Sequence, residues 1–205
     1  MLDDPSTRPD RPEYFDAMFA ASDDPWAFRS RWYERRKRDL TLACLPSERY
    51  RYGYEPGCAN GELSAALATR CDRLLASDGI DKAVALATRR LKDLRHVQVR
   101  KAWVPQDWPD DRFDLIVLSE FLFYLKPPVI EQVAARARSS LLPGGVILAC
   151  HWRHAIEHCV VDGNMAHAML GRLLGLRNHC HIVEPDLRID VWSDAETVAQ
   201  REGLS

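Results

Sequence analysis

Tyr54-Glu55-Pro56-Gly57-Cys58-Ala59-Asn60-Gly61-Glu62-Leu63 reads as the end of a buried strand, a tight glycine turn and a helix opening directly from it. Gly57 and Gly61 let backbone approach a ligand where a Cβ would otherwise stand in the way. The amides of a helix beginning over Asn60–Leu63 would face whatever lies above the turn. Asp78 follows 17 residues after Gly61, closing a second apolar run, Leu74-Leu75-Ala76-Ser77. An acid so placed in a βαβ unit points at the vicinal hydroxyls of a ribose. The glycine pair alone fits an ordinary structural turn equally well. With Asp78 at this distance, the reading favours an adenosine-containing cofactor.

Outward from that turn the chain alternates strand and helix. The spacing predicts strands over 52–56, 73–78, 96–100, 113–119 and 145–151. Ile80, Val84, Ala87 and Leu91 share one helical face, as do Ile130, Val133, Ala134, Ala137 and Leu141. Phe113-Asp114-Leu115-Ile116-Val117-Leu118 is apolar nearly throughout, which suits a parallel strand covered on both faces. This alternation implies a doubly wound α/β sheet with its site at the carboxyl ends of the strands. His181–Glu184 and Leu187–Trp192 are two short runs across Pro185-Asp186, too close for a helix, and are expected to pair as an antiparallel edge.

Before the glycine turn the pattern differs. Residues 1 to 12 are acidic and broken by Pro5, Pro9 and Pro12, as in a flexible tail. Aromatic residues at 14, 15, 19, 26, 28 and 32 surround Asp23-Asp24-Pro25. A helix is expected over 32–45, ending before Pro46. The division expected is therefore a tail (1–12) and one domain (13–205), with a helical lid over 13–48 and a core over 49–193.

With 205 residues, 46% hydrophobic and 28% charged, the chain has an ordinary globular composition and enough length for one substantial core. A formal charge of −2 gives no global attraction to nucleic acid or anionic membrane. The arginines at 29, 31, 35, 36 and 38 are interleaved with Glu34 and Asp39, as on a solvated helix face. No apolar run reaches membrane-spanning length, and the six cysteines form no C-x-x-C pair or disulfide framework. A cytoplasmic protein is expected, with neither nucleic-acid nor membrane partners.

A nicotinamide or flavin dinucleotide asks for G-x-G-x-x-G, because the pyrophosphate needs close backbone approach. Here Ala59 occupies the middle position and Glu55 precedes the turn. A carboxylate would repel a pyrophosphate, but it suits the cationic amine and sulfonium of S-adenosylmethionine.

At this point the residues resemble a family. Glu55-x-Gly57-Cys58-Ala59-x-Gly61 and Leu142-Pro143-Gly144-Gly145 resemble class I S-adenosylmethionine-dependent methyltransferases. Within them the chain looks most like the nodulation N-methyltransferases, from about Asp23 to Trp192. The particular features are Asp24-Pro25-Trp26, Tyr33-Glu34 with Lys37 and Thr41-Leu42, Phe113–Val117, Ser119-Glu120-x-Leu122-x-Tyr124-Leu125, and His151-Trp152-Arg153. The resemblance implies a Rossmann-like methyltransferase fold, with a mostly parallel seven-stranded sheet. It implies a cofactor site at Tyr33, Glu55, Gly57, Cys58, Ala59, Gly61, Asp78, Gly79, Ile80, Trp103 and Ser119, with S-adenosylhomocysteine as product. Asp78 would hold the ribose, with Ile80 along the adenine. The sequence departs from the pattern at Pro56, which removes a ladder donor, and at Gly79-Ile80. Trp103 also stands where many members place an acid on the adenine amino group.

Methyl transfer is an in-line displacement, and an amine acceptor must first lose a proton to a base. Glu120 and His151 fall at the ends of the fourth and fifth strands, with Tyr124 four residues past Glu120. These three are the expected catalytic residues. Glu120 is the first choice, as base or as the group orienting an amine; a structural carboxylate and a satisfied strand-end histidine are the plainer alternatives. Tyr14, Phe15, Trp26 and Trp32 could close over the site or simply pack a helix. The acceptor expected is a small polar or saccharide molecule offering an amine or a hydroxyl. A natural-product or lipid intermediate is an alternative within the same chemistry. A rival constellation is histidine-rich: His151, His154 and His158 at helical spacing, Glu157 and Cys159, and His179-Cys180-His181 downstream. It would suit zinc in a hydrolase, but Cys150-His151 continues a strand, which takes His151 out of the helical register. A non-catalytic cofactor-binding domain is the remaining alternative.

Overall fold

The computed structural model describes residues 12–157 and 159–204, so the tail expected over 1–12 lies outside the described residues except for Pro12, which belongs to the first helix. Pro12 opens α1 (Pro12–Ala21), where its fixed φ and missing N–H cost nothing. After an irregular segment comes α2 (Trp32–Ala43), close to the expected 32–45.

The core follows as β1 (Tyr50–Pro56), α3 (Glu62–Leu67), β2 (Cys71–Asp78), α4 (Asp81–Leu91), β3 (Val97–Lys101), β4 (Phe113–Ser119), α5 (Pro127–Ser140) and β5 (Leu141–Trp152). Then come α6 (Gly163–Leu173), β6 (Arg177–Val183), β7 (Leu187–Ser193) and a short α7 (Val198–Arg201). The seven strands form one sheet in the order β3-β2-β1-β4-β5-β7-β6. β1 to β5 pair in parallel, and β7 lies antiparallel to both β5 and β6. This is the Rossmann-like methyltransferase architecture with its antiparallel edge.

β4 shows why its sequence is apolar throughout. Ile116 and Leu118 enter a cluster with Tyr54, Ile130, Val133 and Ile147, while Leu115 and Val117 enter another with Leu74, Leu148, Ile189 and Val191. Successive side chains thus meet helices on opposite faces of the sheet. On α4 the buried residues are Ala83, Leu86, Ala87 and Leu91. On α5 they are Val129, Ile130, Val133, Ala134, Ala137 and Ser140. Both stripes match the expected faces, except that Val84 is only half-buried, Ile80 precedes α4 as its N-cap and Leu141 belongs to β5.

Several strand boundaries differ from the expected ones: β1 and β2 begin at Tyr50 and Cys71 rather than 52 and 73, β3 runs Val97–Lys101 rather than 96–100, and β5 runs on to Trp152. β5 begins at Leu141 rather than 145, because Phe113 pairs with Leu141 before the register jumps to Leu115 with Val146. That irregularity absorbs Pro143-Gly144-Gly145. Pro56 is the last residue of β1 and lies beyond Gly53 and Tyr54, through which β1 pairs with β4. The donor it lacks therefore falls at the last rung of the strand, where Pro56 still pairs with Ser77 of β2.

Strand order reverses between β1 and β4, and the crevice of such a sheet opens there. Among the described residues no helix is long and apolar enough to cross a membrane.

Candidate functional site

A cavity of about 570 Å³ opens over the carboxyl ends of β1, β2 and β4. Gly57 and Ala59 form its floor, at φ +74° and +49°. Beside it a smaller recess of about 50 Å³ is bordered by Glu55, Cys58, Asn60 and Ser119. Of the residues expected at the site, Tyr33, Gly57, Ala59, Asp78, Gly79, Ile80, Trp103, Ser119, Glu120 and Tyr124 line the larger cavity. Glu55 and Cys58 border the recess alone. Gly61 and His151 line neither.

The glycine turn is shaped from within. Gly61 starts α3 at φ +82°, and a Cβ there would lie 3.1 Å from the Cα of Ala87. Its role is close helix packing rather than ligand contact. α3 begins at Glu62 and has only six residues. The Gly61 amide donates to the Cys58 carbonyl at 2.9 Å, and the Ala59 amide donates to Asp78 Oδ2 at 3.0 Å. These two amides serve the turn itself, so the expected fan of helix-start amides over a ligand is reduced.

Asp78 ends β2 and takes a second amide, from Ile80, on Oδ1 at 3.0 Å. Both oxygens are thus fixed in position while keeping further lone pairs for ligand hydroxyls. Burial raises its pKa, against the lowering by the backbone amides of Ile80, Ala59 and Gly79. Glu55 is 2% exposed, and its Oε2 has no partner among the described residues. Burial, together with the Asp78 charge, pushes its carboxyl up to about 8. The Tyr33 hydroxyl is likewise buried without a partner. Such orphaned polar atoms are costly unless a ligand satisfies them. A carboxyl and a phenol without partners, a carboxylate fixed at the next strand end, and apolar Ile80 and Trp103 fit S-adenosylmethionine. Its amine, ribose and adenine ask for that set in that order. Trp103 lies against Gly79, whose missing side chain leaves room for the indole.

The approach from the N-terminal segment is organised by Asp24. Its carboxylate accepts the amides of Phe28 at 2.8 Å and Arg29 at 3.1 Å, and Asn60 Nδ2 donates to it at 3.0 Å. Asp23 pairs with Lys82 and Arg89 of α4. The Asp24-Pro25-Trp26 motif thus ties the first two helices to the glycine turn. Above the cavity, Phe15 meets Tyr124 edge-on at 4.8 Å, and Phe19 meets Trp26 at 5.6 Å.

Glu120 sits at φ +59° just past β4, in the left-handed region that few non-glycine residues occupy. Its Oε1 accepts from Lys37 Nζ at 2.7 Å and its Oε2 from the Trp152 amide at 3.0 Å. Lys37, on α2, also pairs with Glu34 at 2.9 Å. Burial works against the Lys37 charge, but Glu120, Cys150 and Glu34 outweigh it and raise its pKa above the lysine range. The sequence places Glu34 on a solvated helix face and Lys37 only in the motif, whereas α2 buries both, at 7% exposure each, because that face packs against the end of β4. Their contact with Glu120 spans 83 residues, so no local signal announces it.

His151 has both ring nitrogens engaged inside the core. The Leu122 amide approaches Nε2 at 3.4 Å, and Nδ1 lies 3.0 Å from His167 Nε2. His167 Nδ1 is 2.6 Å from Asp190 Oδ2, and Asp190 also accepts from Arg188, Asn178 and His181. An Nε2 that accepts the Leu122 amide leaves Nδ1 protonated, and the same order then holds in His167. The result is one fixed tautomer along the row. The histidine-rich segment does not assemble as a helix: β5 runs through Trp152, and residues 153–157 are irregular. His154 pairs with Asp186 at 2.6 Å, His181 turns to Asp190, and His158 lies outside the described residues. Among the described residues no three histidine, cysteine, aspartate or glutamate side chains converge to hold a metal.

Comparison with known proteins agrees with this architecture. The family model described as Nodulation protein S (NodS) matches residues 16–169. Nodulation protein S of Sinorhizobium fredii (strain NBRC 101917 / NGR234) is 32% identical over 146 residues, which is 70% of this chain and 64% of that protein. Its counterpart in Rhizobium tropici is 33% identical over 106 residues, 51% of this chain and 44% of that protein. The chain therefore spans less than two thirds of either relative. Among solved structures, a candidate methyltransferase from Pseudomonas syringae is 47% identical, with TM-score 0.72 over 80% of this chain and 99% of that one. The N-methyltransferase NodS from Bradyrhizobium japonicum WM9, in complex with S-adenosyl-L-homocysteine, shares the fold with TM-score 0.82 and 24% identity, over 93% and 100% of the two chains. With the family model matched over residues 16–169, most of its length, the chain belongs to the nodulation protein S family.

Proposed function

We propose that this protein is an S-adenosylmethionine-dependent methyltransferase acting on an amine or hydroxyl of a small polar or saccharide acceptor. The observation that supports it best is Asp78, fixed by two backbone amides at the end of β2 beside a glycine-floored cavity. The partnerless Glu55 Oε2 behind the turn supports a ligand bearing a cationic amine there. When bound, the cofactor supplies an electrophilic methyl group on a sulfonium. The chain's own residues would do the rest: Asp78 holds the ribose hydroxyls, and Glu55 and Tyr33 receive the amino-acid end. Ile80 and Trp103 enclose the adenine. In this reading residues 13–48 act as a lid over a core of 49–193, excluding water from the reacting atoms.

Calorimetric titration with S-adenosylmethionine and S-adenosylhomocysteine, with NADH as control, tests the reading. Micromolar binding of the sulfur compounds and none of NADH is expected. Binding of NADH alone, or of none of the three, would sink it.

A further inference from the structure

The sequence makes Glu120 the natural acceptor-facing carboxylate, but each of its oxygens already accepts one bond, from Lys37 Nζ and from the Trp152 amide, which ties it to α2 and β5. Glu34 is differently placed. It is 7% exposed and lines both the cavity and the recess. Its Oε2 pairs with Lys37 at 2.9 Å. The three charges sum to one excess negative charge. Around the whole cavity the charged side chains are four carboxylates (Glu34, Asp78, Glu120 and Asp186) against two cations (Arg31 and Lys37). Most of the remaining lining is aromatic, and the rings of Phe28 and Tyr33 lie within 6.0 and 5.4 Å of Lys37 Nζ. An uncompensated carboxylate in such surroundings is poorly solvated, and a cation bounded by ring faces is its complement.

We propose that Glu34 is the group on which the acceptor docks, as an ammonium, and that Glu120 with Lys37 is a positioning pair that holds α2 against the end of β4. The proposal rests on the methyltransferase reading and names the residue that would select a basic nitrogen there. It gives Lys37 a definite part. By taking Glu34 Oε2 and Glu120 Oε1 together, it fixes the Glu34 carboxylate at the cavity wall.

Benzylamine and benzyl alcohol serve as probes, an ammonium and its neutral isostere on one ring, titrated by calorimetry with and without saturating S-adenosylhomocysteine. Wild type should prefer the amine. Glu34→Gln should remove that preference, weakening benzylamine roughly 10-fold or more while leaving the alcohol unchanged, as expected for loss of one charge-assisted contact. Its Tm should stay near wild type, because Lys37 keeps Glu120. Glu120→Gln should keep the preference and lower Tm. The assignment is overturned if wild type shows no preference, if Glu34→Gln keeps it, or if both variants lose it equally. Failure of S-adenosylhomocysteine to bind would reject the cofactor reading by itself. The amine titration on the free protein would still decide the role of Glu34.

Discussion

The indole of Trp103 lies so close over Gly79 that a Cβ built on the glycine would come within 2.4 Å of the ring. The backbone of Gly79 is not in the left-handed region, so the glycine is there for space alone. Gly79→Ala should push Trp103 out of place, lowering stability by about 1–3 kcal/mol as over-packed sites do. It should also weaken S-adenosylhomocysteine binding. Adding Trp103→Ala should return most of the stability and not the affinity. Denaturant unfolding and calorimetry on both variants check this.

Asp78 offers a cleaner loss of ligand contact. Asp78→Ala leaves the Ala59 and Ile80 amides without their acceptor and removes the ribose-facing carboxylate. S-adenosylhomocysteine affinity should fall on the order of 10-fold or more, the scale of a hydrogen bond to a charged group. Asp78→Asn, which keeps one acceptor oxygen, should fall between the two in calorimetric titration.

Glu55 should leave a signature in pH. Its carboxyl is raised by burial to about 8, so the folded state holds a proton that the unfolded chain releases near 4.5. The folded state then binds more protons across this window, and stability falls as pH rises from about 4.5 to about 8. A cationic amine beside Glu55 favours the ionised form. S-adenosylhomocysteine affinity should therefore rise between pH 6 and 8. Both slopes should flatten in Glu55→Gln, measured by urea unfolding and calorimetry at each pH.

The buried row from His151 to Asp190 has the opposite sign. Burial lowers both His151 and His167 below the ordinary histidine value of 6.5, so the unfolded chain takes up protons first as the solution is acidified. Burial would raise Asp190, but hydrogen bonds from His167, His181 and Arg188 outweigh it and hold it below 3.8. Stability conferred by the row should thus be full above about pH 6.5 and decline below it, with a further decline as Asp190 protonates. Asp190→Ala strands Arg188 and the histidine donors. It should cost about 3–5 kcal/mol, the scale for breaking a buried ion pair. Unfolding of wild type and variant between pH 5 and 8 tests this.

The sequence carried the sheet well because its evidence is local. Strand runs, helical stripes and the Pro185-Asp186 break each depend on neighbours a few residues apart, and all reappear in the structure. Asp78 was legible for the same reason: its distance from Gly61 is set by one helix and one strand. The Lys37 pair with Glu120 was not legible, since it exists only once α2 lies across the end of β4. Nor was the company of His151. Its spacing to His154 and His158 suggested a helix face, whereas its partners arrive from α6 and β7, 16 residues on in the first case. The N-terminal aromatics were visible as a cluster, but their grip on Tyr124 required the fold.

The two helices before β1 are fastened by different forces. α2 is held through charge, by Lys37 to Glu120 and by both guanidinium nitrogens of Arg36 to Glu184 at 2.7 and 2.6 Å. α1 is held by apolar packing where it meets the cavity roof, Phe15 on Tyr124 and Phe19 on Trp26, Ile80 and Leu86. Rising ionic strength screens the exposed part of the first attachment, and excluded salts such as sulfate tighten the second. Sulfate should therefore seal the cavity, whereas chloride at equal ionic strength should chiefly loosen the Arg36 side. The identity of the anion, and not only its concentration, then sets how readily a ligand enters.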